Sequence, residues 1–221
     1  MNKVRFWRYR HRFGAMDRRD TFSVIYRDRI FGDAPGEQFY SGDGSTGRFA
    51  DSYCELIADI VREKEIRSIV DLGCGDFRIG ARLAPLVSEY RGIDIVPDLI
   101  EHNRREYGSD RISFDCLDIV EDQLPPGDLC LVRQVLQHLS NQEISAVLRK
   151  TRAYKRILIT ENVTAGIVKF PNVDLVHGPK TRLVEDSGVF VTKPPFSQVA
   201  VRTWEFPYDE KSILLAVLLR P

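Results

Sequence analysis

The sequence predicts an α/β protein built on a doubly wound, mostly parallel sheet. Three observations carry that expectation. Short apolar, β-branched runs alternate with helical patterns between residues 67 and 161. A glycine-rich turn, Gly73-Cys74-Gly75, separates the first run from the pattern that follows it. Aspartates punctuate the next two runs, Asp94 at the end of the second and Asp118 just beyond the third. Strands that alternate with helices imply a parallel sheet, because each crossover returns the chain to the same end.

Residues 1–47 read as an N-terminal extension ahead of a domain spanning 48–221. The first twelve residues hold Lys3, Arg5, Arg8, Arg10 and Arg12 and no acid, with Phe6, Trp7 and Tyr9 among them. The whole chain has 32 basic and 32 acidic residues, so the remainder is net acidic. This stretch suits peripheral contact with an anionic surface, or a strap packed on the acidic body. Thr21–Tyr26 is apolar enough to pack on the core, and Tyr40–Gly47 is a loop by composition. Phe49, Tyr53, Leu56, Ile57, Ile60 and Val61 recur at spacings of three and four, which predicts a helix over 48–64.

Strands are expected at 67–72, 89–95, 111–116, 128–132 and 156–161, and helices near 77–87, 97–107 and 140–153. Pro97 suits a first helical turn, where its missing N–H costs nothing. Ser140 is an N-cap with Glu143 placed to complete a capping box. Residues 163–196 break the rhythm with Pro171, Pro179, Pro194 and Pro195 and with Gly166, Gly178 and Gly188. A segment of that length reads as a substrate-side insertion or lid. Val199–Trp204 and Ile213–Leu219 suit a closing antiparallel pair.

With 221 residues, 43% hydrophobic and 29% charged, the chain can bury the core of one soluble domain. It has no apolar run long enough to span a membrane and no apolar leader at its N-terminus, so a cytoplasmic location is expected. Cys54, Cys74, Cys116 and Cys130 form no C-x-x-C pair and read as free thiols in a reducing compartment. Beyond the basic stretch nothing looks like a nucleic-acid footprint.

Glycines let a turn's backbone N–H groups approach a ligand closely. A dinucleotide fingerprint, G-x-G-x-x-G, would need its third glycine where Arg78 stands. The turn therefore fits a zwitterionic nucleoside better than a pyrophosphate. The pattern Asp71-x-Gly73-x-Gly75, followed by Asp94 and then Asp118, resembles the class I S-adenosylmethionine-dependent methyltransferases over residues 48–162. The resemblance implies a Rossmann-like methyltransferase fold: seven strands, helices on both faces, an antiparallel last strand, and S-adenosyl-L-methionine as cofactor. It also implies the cofactor set. Gly73, Cys74 and Gly75 pass the methionine portion, and Asp71 orients the ammonium group. Asp94, beside Ile95, offers two acceptor oxygens to a ribose diol. Asp118 and Ile119 meet the adenine, and Arg133 ends the fourth strand. The loop Ser41–Ser45 folds back over the cofactor.

Methyl transfer needs an in-line approach and a deprotonated acceptor. His138, just past the fourth strand, is the expected base, since its ordinary pKa lies nearest neutrality. Glu161, ending the fifth strand, also faces the acceptor. Gln134, His177 and Arg182 are expected to bind substrate, with Asp174, Lys180 and Lys193 adding polarity nearby. The segment resembles one in quinone O-methyltransferases that holds a divalent metal through two glutamates and a histidine. Here Gln134 and Gln137 replace the carboxylates, so no metal is expected. No Asn-Pro-Pro-Tyr-like motif follows the fourth strand, which argues against methylation of nucleobases or side-chain amides. The leading reading is O-methylation of a small polar acceptor such as a sugar or glycan intermediate. The alternatives are a lipid-linked or protein acceptor, and a cofactor-binding module without turnover.

Overall fold

A computed structural model describes residues 13–220, with backbone alone at residues 47–49. The basic stretch 1–12, and the surface contact expected of it, lies outside the described residues. Alternating apolar side chains along each strand give one sheet two cores. On β1 (Ser68–Leu72) Ile69 faces one side and Val70 the other. Leu129 and Leu131 alternate with Cys130 and Val132 on β4 (Leu129–Arg133). Leu158 alternates with Ile157 and Ile159 on β5 (Arg156–Thr164).

The first core is covered by α2 (Gly47–Lys64), through Tyr53, Ile57 and Ile60, and by α3 (Gly80–Leu83) and α4 (Pro97–Tyr107). The second is covered by α5 (Asn141–Lys150), through Ile144, Val147 and Leu148, and by Val189, Val191 and Phe196. The capping box expected at Ser140 and Glu143 is present, and Pro97 opens α4. The four cysteines are free.

With β2 (Glu89–Asp94), β3 (Ile112–Cys116), β6 (Ala200–Pro207) and β7 (Ser212–Leu219), the sheet has seven strands in the order β3-β2-β1-β4-β5-β7-β6. The first five run parallel, and β7 runs against both β5 and β6. The order reverses between β1 and β4, and a doubly wound sheet binds ligands at such a switch point, beyond the carboxyl ends of its strands.

The helix expected over 77–87 is much shorter, confined to Gly80–Leu83 and a 3-10 turn, Ala84–Leu86. Aromatic packing outweighs helical periodicity here. Phe77 adopts φ 59°, and its ring meets Tyr90, Tyr107 and Phe114 at centroid distances of 5.4, 5.1 and 4.7 Å. A Cβ on Gly80 would lie 2.2 Å from that ring.

The N-terminal extension contributes α1 (Arg18–Arg27), capped by Asp17, whose carboxylate accepts from Asp20 N–H at 2.8 Å. Residues 31–45 then run across the carboxyl edge of the sheet to a 3-10 turn at Asp43–Ser45. Within 163–196 the one helical piece is the 3-10 turn Arg182–Glu185. Buried Asn172 pins that segment, accepting from Phe190 N–H and donating to Phe190 O. Among the described residues no helix is long and apolar enough to cross a membrane.

Phe77→Ala should lower the unfolding free energy by about 3–5 kcal/mol, read from urea denaturation. A loss below 1 kcal/mol would mean that the aromatic cluster does not hold this turn.

Candidate functional site

Beyond the carboxyl ends of β1 to β4 lies a cavity with about 1060 Å³ of empty space, mouth included. The turn after β1 forms one wall. Gly73 and Gly75 have φ of 78° and 55°, a region that favours glycine. A Cβ on Gly73 would fall 2.3 Å from Val135 and one on Gly75 would fall 2.4 Å from Ser41 Oγ. Gly73 and Cys74 N–H donate to Ile93 O at 2.7 and 2.9 Å, and Gly75 N–H to Asp94 Oδ2 at 3.2 Å.

Of the expected cofactor set, Asp71, Gly73, Cys74, Gly75, Asp94, Ile95, Asp118, Ile119 and Arg133 all line this cavity. Asp71 is buried and accepts from Tyr90 Oη at 2.8 Å. Burial pushes its pKa up to about 6, with the Tyr90 bond opposing. Asp94 is likewise pushed up to about 6 by burial, against the N–H groups of Val96 and Gly75. Asp118 accepts from Val120 N–H at Oδ1 and from Arg18 at Oδ2.

The roof comes from the N-terminal extension. Arg18, Phe22, Tyr26, Phe31, Ser41 and Ser45 line the cavity. Ser41 N–H donates to Asp76 Oδ2 at 3.0 Å and Asp76 N–H to Ser41 Oγ at 2.8 Å, while Tyr26 Oη lies 2.9 Å from Ser41 Oγ. The loop expected to fold back therefore sits on the glycine turn. Arg18 latches α1 through ion pairs with Asp118 at 2.8 Å, Glu143 at 2.9 Å and Glu121 at 3.0 Å.

His177 completes the latch and does not line the cavity. Its Nδ1 is 2.8 Å from Glu143 Oε1 and its Nε2 is 3.1 Å from Met16 O. Both partners accept, so the imidazolium alone can donate to both. The Glu143 bond raises the His177 pKa, with burial opposing. Burial disfavours the Glu143 carboxylate, but His177, Ser140 and Arg18 together hold its pKa down to about 2.

The opposite wall is the segment after β4. Arg133, Gln134, Val135, His138 and Leu139 line the cavity. His138 Nδ1 is 3.1 Å from Gly178 O, which puts the neutral ring's proton on Nδ1, and Nε2 lies 3.3 Å from Gln137 Nε2 as an acceptor. Burial pushes its pKa down to about 4, against backbone groups of Gly178 and Lys180.

Glu161 and Arg182 do not reach the cavity, and they brace this segment from behind. Glu161 accepts from the N–H groups of Val135, Leu136 and Gln137 at 3.2, 2.9 and 3.1 Å. Burial pushes its pKa up to about 7, with those bonds opposing. Arg182, 1% exposed, donates to the carbonyls of Gln137 and Leu139 at 3.2 and 2.8 Å and of Val173 at 2.7 Å. No residue of 163–196 lines the cavity. Residues 174–180 of that segment instead line a second cavity, beside Phe13, Gly14 and Ser140.

Among the described residues no three His, Cys, Asp or Glu side chains gather as a metal site. Arg18, Tyr26, Tyr53 and Asp76 line the cavity without having been expected there. Asp76 follows the glycine turn directly and was legible by position. Arg18 and Tyr26 carry no motif.

A family described as a methyltransferase domain matches residues 70–156. No curated protein sequence matches the chain. Among solved structures the chain is similar to the N-methyltransferase NodS from Bradyrhizobium japonicum WM9 in complex with S-adenosyl-L-homocysteine. That likeness has 15% identity and a TM-score of 0.63, over 89% of this chain and 98% of that one. It is also similar to magnesium protoporphyrin IX methyltransferase from Synechocystis PCC 6803 with bound SAM, at 15% identity, TM-score 0.55, and 94% and 99% coverage. A third likeness is to the mitomycin 7-O-methyltransferase MmcR, at 19% identity, TM-score 0.55, and 77% and 53% coverage. At these identities the likenesses establish the fold.

The latch should depend on pH. His177 is raised above its ordinary 6.5, so its contribution to stability is complete below about pH 6.5 and is lost as pH rises through the raised value. The melting temperature of the native chain should therefore fall more steeply from pH 6.5 to 8.5 than that of His177→Gln. Parallel curves would remove the latch from the account.

Proposed function

We propose that this chain, which belongs to the class I S-adenosylmethionine-dependent methyltransferases, methylates a hydroxyl of a small polar acceptor, such as a sugar or glycan intermediate. One observation carries the reading. The glycine turn, Asp94 and Asp118 converge on a single roofed cavity at the carboxyl edge of the sheet. Relatives of the same fold hold S-adenosyl-L-homocysteine or S-adenosylmethionine.

The residues present fit S-adenosyl-L-methionine. Buried Asp94 keeps acceptor capacity beyond its two backbone bonds, as a ribose diol requires. Ile95, Leu117 and Ile119 supply apolar surface for an adenine beside Asp118. Gly73 and Gly75 keep side chains out of the space the methionine portion needs. Bound there, the sulfonium supplies an electrophilic methyl group.

The chain's own part is to position and deprotonate the acceptor. His138 and Gln134 both line the cavity and are assigned to that end. Neutral His138, once its Nε2 lone pair leaves the Gln137 amide 3.3 Å away, is the group that takes the acceptor's proton or orients its hydroxyl. Because burial holds its pKa near 4, the ring is already deprotonated across the neutral range. Glu161 and Arg182 enter as positioning residues that hold the turn carrying His138, and His177 as part of the latch.

His138→Ala should lower kcat by roughly 10²–10⁴-fold and leave S-adenosyl-L-homocysteine affinity unchanged. With cofactor saturating, native kcat should stay level from pH 8 to pH 6, since the ring is neutral throughout. Near-native turnover by a folded His138→Ala chain, on any acceptor the native enzyme accepts, would take the base role from this residue.

A further inference from the structure

We infer that Gln137 is a positioning residue for methyl transfer: its carboxamide turns over to serve His138 in both proton states, donating to the neutral ring and accepting from the ring that carries the acceptor's proton. The inference rests on the assignment of His138 as the base and names the group that handles its proton.

Gln137 stands between the base and the frame of its wall. Its N–H donates to Glu161 Oε2 at 3.1 Å and its carbonyl accepts from Arg182 at 3.2 Å. The residue is 7% exposed and does not line the cavity. Its side-chain Nε2 lies 3.3 Å from His138 Nε2 and donates to Gln134 O at 3.4 Å. The Gln134 carbonyl can only accept. Neutral His138, with its proton on Nδ1 toward Gly178 O, presents a lone pair at Nε2. Both therefore call for the nitrogen of the amide, which fixes its orientation. The amide oxygen, Gln137 Oε1, is left buried without a hydrogen-bond partner.

Buried polar atoms are almost always paired. An orphan oxygen beside a ring that changes protonation points to a second arrangement that uses it. Forming the oxygen–methyl bond releases the hydroxyl proton to His138 Nε2, while the breaking carbon–sulfur bond leaves its electron pair on sulfur. The one positive charge thus passes from sulfonium to imidazolium. The ring that left the amide with a lone pair returns to it with an N–H. Nδ1–H still meets Gly178 O, but Nε2–H would face the amide nitrogen donor to donor. A half-turn of the amide puts Oε1 there instead, at the loss of the long bond to Gln134 O. Nitrogen and oxygen are close in size, so the turn needs no repacking. Release of the proton to water resets it.

The surroundings of the ring leave this task to the amide. Phe31 of the roof faces it at 5.1 Å between centroids, and Gly178 and Lys180 meet it through backbone. Arg182 acts against a second positive charge, and Glu161 is spent on three N–H groups. A neutral amide can serve the cation without fixing it, whereas a carboxylate at this position would hold the ring charged.

The test is nuclear magnetic resonance of the full-length chain, labelled at histidine nitrogen and saturated with S-adenosyl-L-homocysteine. His138 is identified among the four histidines by the signal lost in His138→Ala. The native ring should stay neutral, with its proton on Nδ1, from pH 8 to pH 6. Gln137→Glu should raise the pH at which His138 charges by at least about one unit, as an adjacent opposite charge does. On any acceptor the native enzyme accepts, Gln137→Met should lower kcat about tenfold with KM within about twofold, since the cation loses a charge-assisted bond and the neutral ring loses only a long one. An unmoved His138 titration in folded Gln137→Glu would overturn the proposal and leave the base assignment standing, as would native kcat in Gln137→Met. A native ring with its proton on Nε2 at neutral pH would overturn it with no variant needed. Near-native turnover by His138→Ala would remove the base, and the role of Gln137 in turnover with it.

Discussion

The turn after β1 is tied to β2 through the Ile93 carbonyl and the Asp94 carboxylate, and the rest of the cavity is referenced to that tie. It holds Gly73 and Gly75 in left-handed backbone, where glycine avoids the strain a Cβ would bring. It also gives Asp94 two jobs. The carboxylate anchors the turn from within the protein and keeps lone pairs toward the cavity. Burial raises its pKa to about 6, so the anion is held at a cost that a diol donating to it would offset. The roof is built on the same turn, since Ser41 and Tyr26 reach the chain through Asp76. An error in the turn would therefore propagate to both walls of the site.

The opposite wall rests on a different device. The 3-10 turn Leu136–His138 follows the fourth strand with its N–H groups on the Glu161 carboxylate and nearby carbonyls on the Arg182 guanidinium. Helical turns leave donors unpaired at one end and acceptors at the other, and an anion and a cation suit those ends. Here both groups are buried and both are spent mainly on backbone, with one Arg182 bond going to Asn141 Oδ1. The turn that presents His138 is thus rigid without either charged group entering the cavity. His138 in turn is anchored through Nδ1 on Gly178, which leaves Nε2 as its acceptor.

Much of the sheet was legible because its strands carry strong β-branched runs, and the switch point announced itself through Gly73, Gly75 and Asp94. The capping box at Ser140 and the first-turn Pro97 marked two helix starts by local chemistry alone. What periodicity missed was tertiary. Phe77 reads as a helical residue, yet its ring is captured by three other aromatics and the helix begins later. Glu161 reads as acceptor-facing because it ends the fifth strand, and Arg182 as a substrate-binding charge in a polar loop, but only the packed structure shows their partners to be mostly backbone groups. Tyr53 was legible as a core position of α2. Its orphan hydroxyl at the cavity wall was not, because one apolar stripe does not say where a phenol oxygen ends. Arg18 belongs to no motif, and its three carboxylate partners are far away in sequence.

A nucleoside cofactor is proposed to occupy the cavity under a roof made by residues 18–45. Hydrogen–deuterium exchange on the full-length chain, with and without S-adenosyl-L-homocysteine, tests it most directly. Exchange should slow in peptides covering 71–76, 94–96, 118–120 and α1, with little change along β6. Unchanged exchange in the glycine turn and α1, or protection confined to residues 174–180, would contradict it.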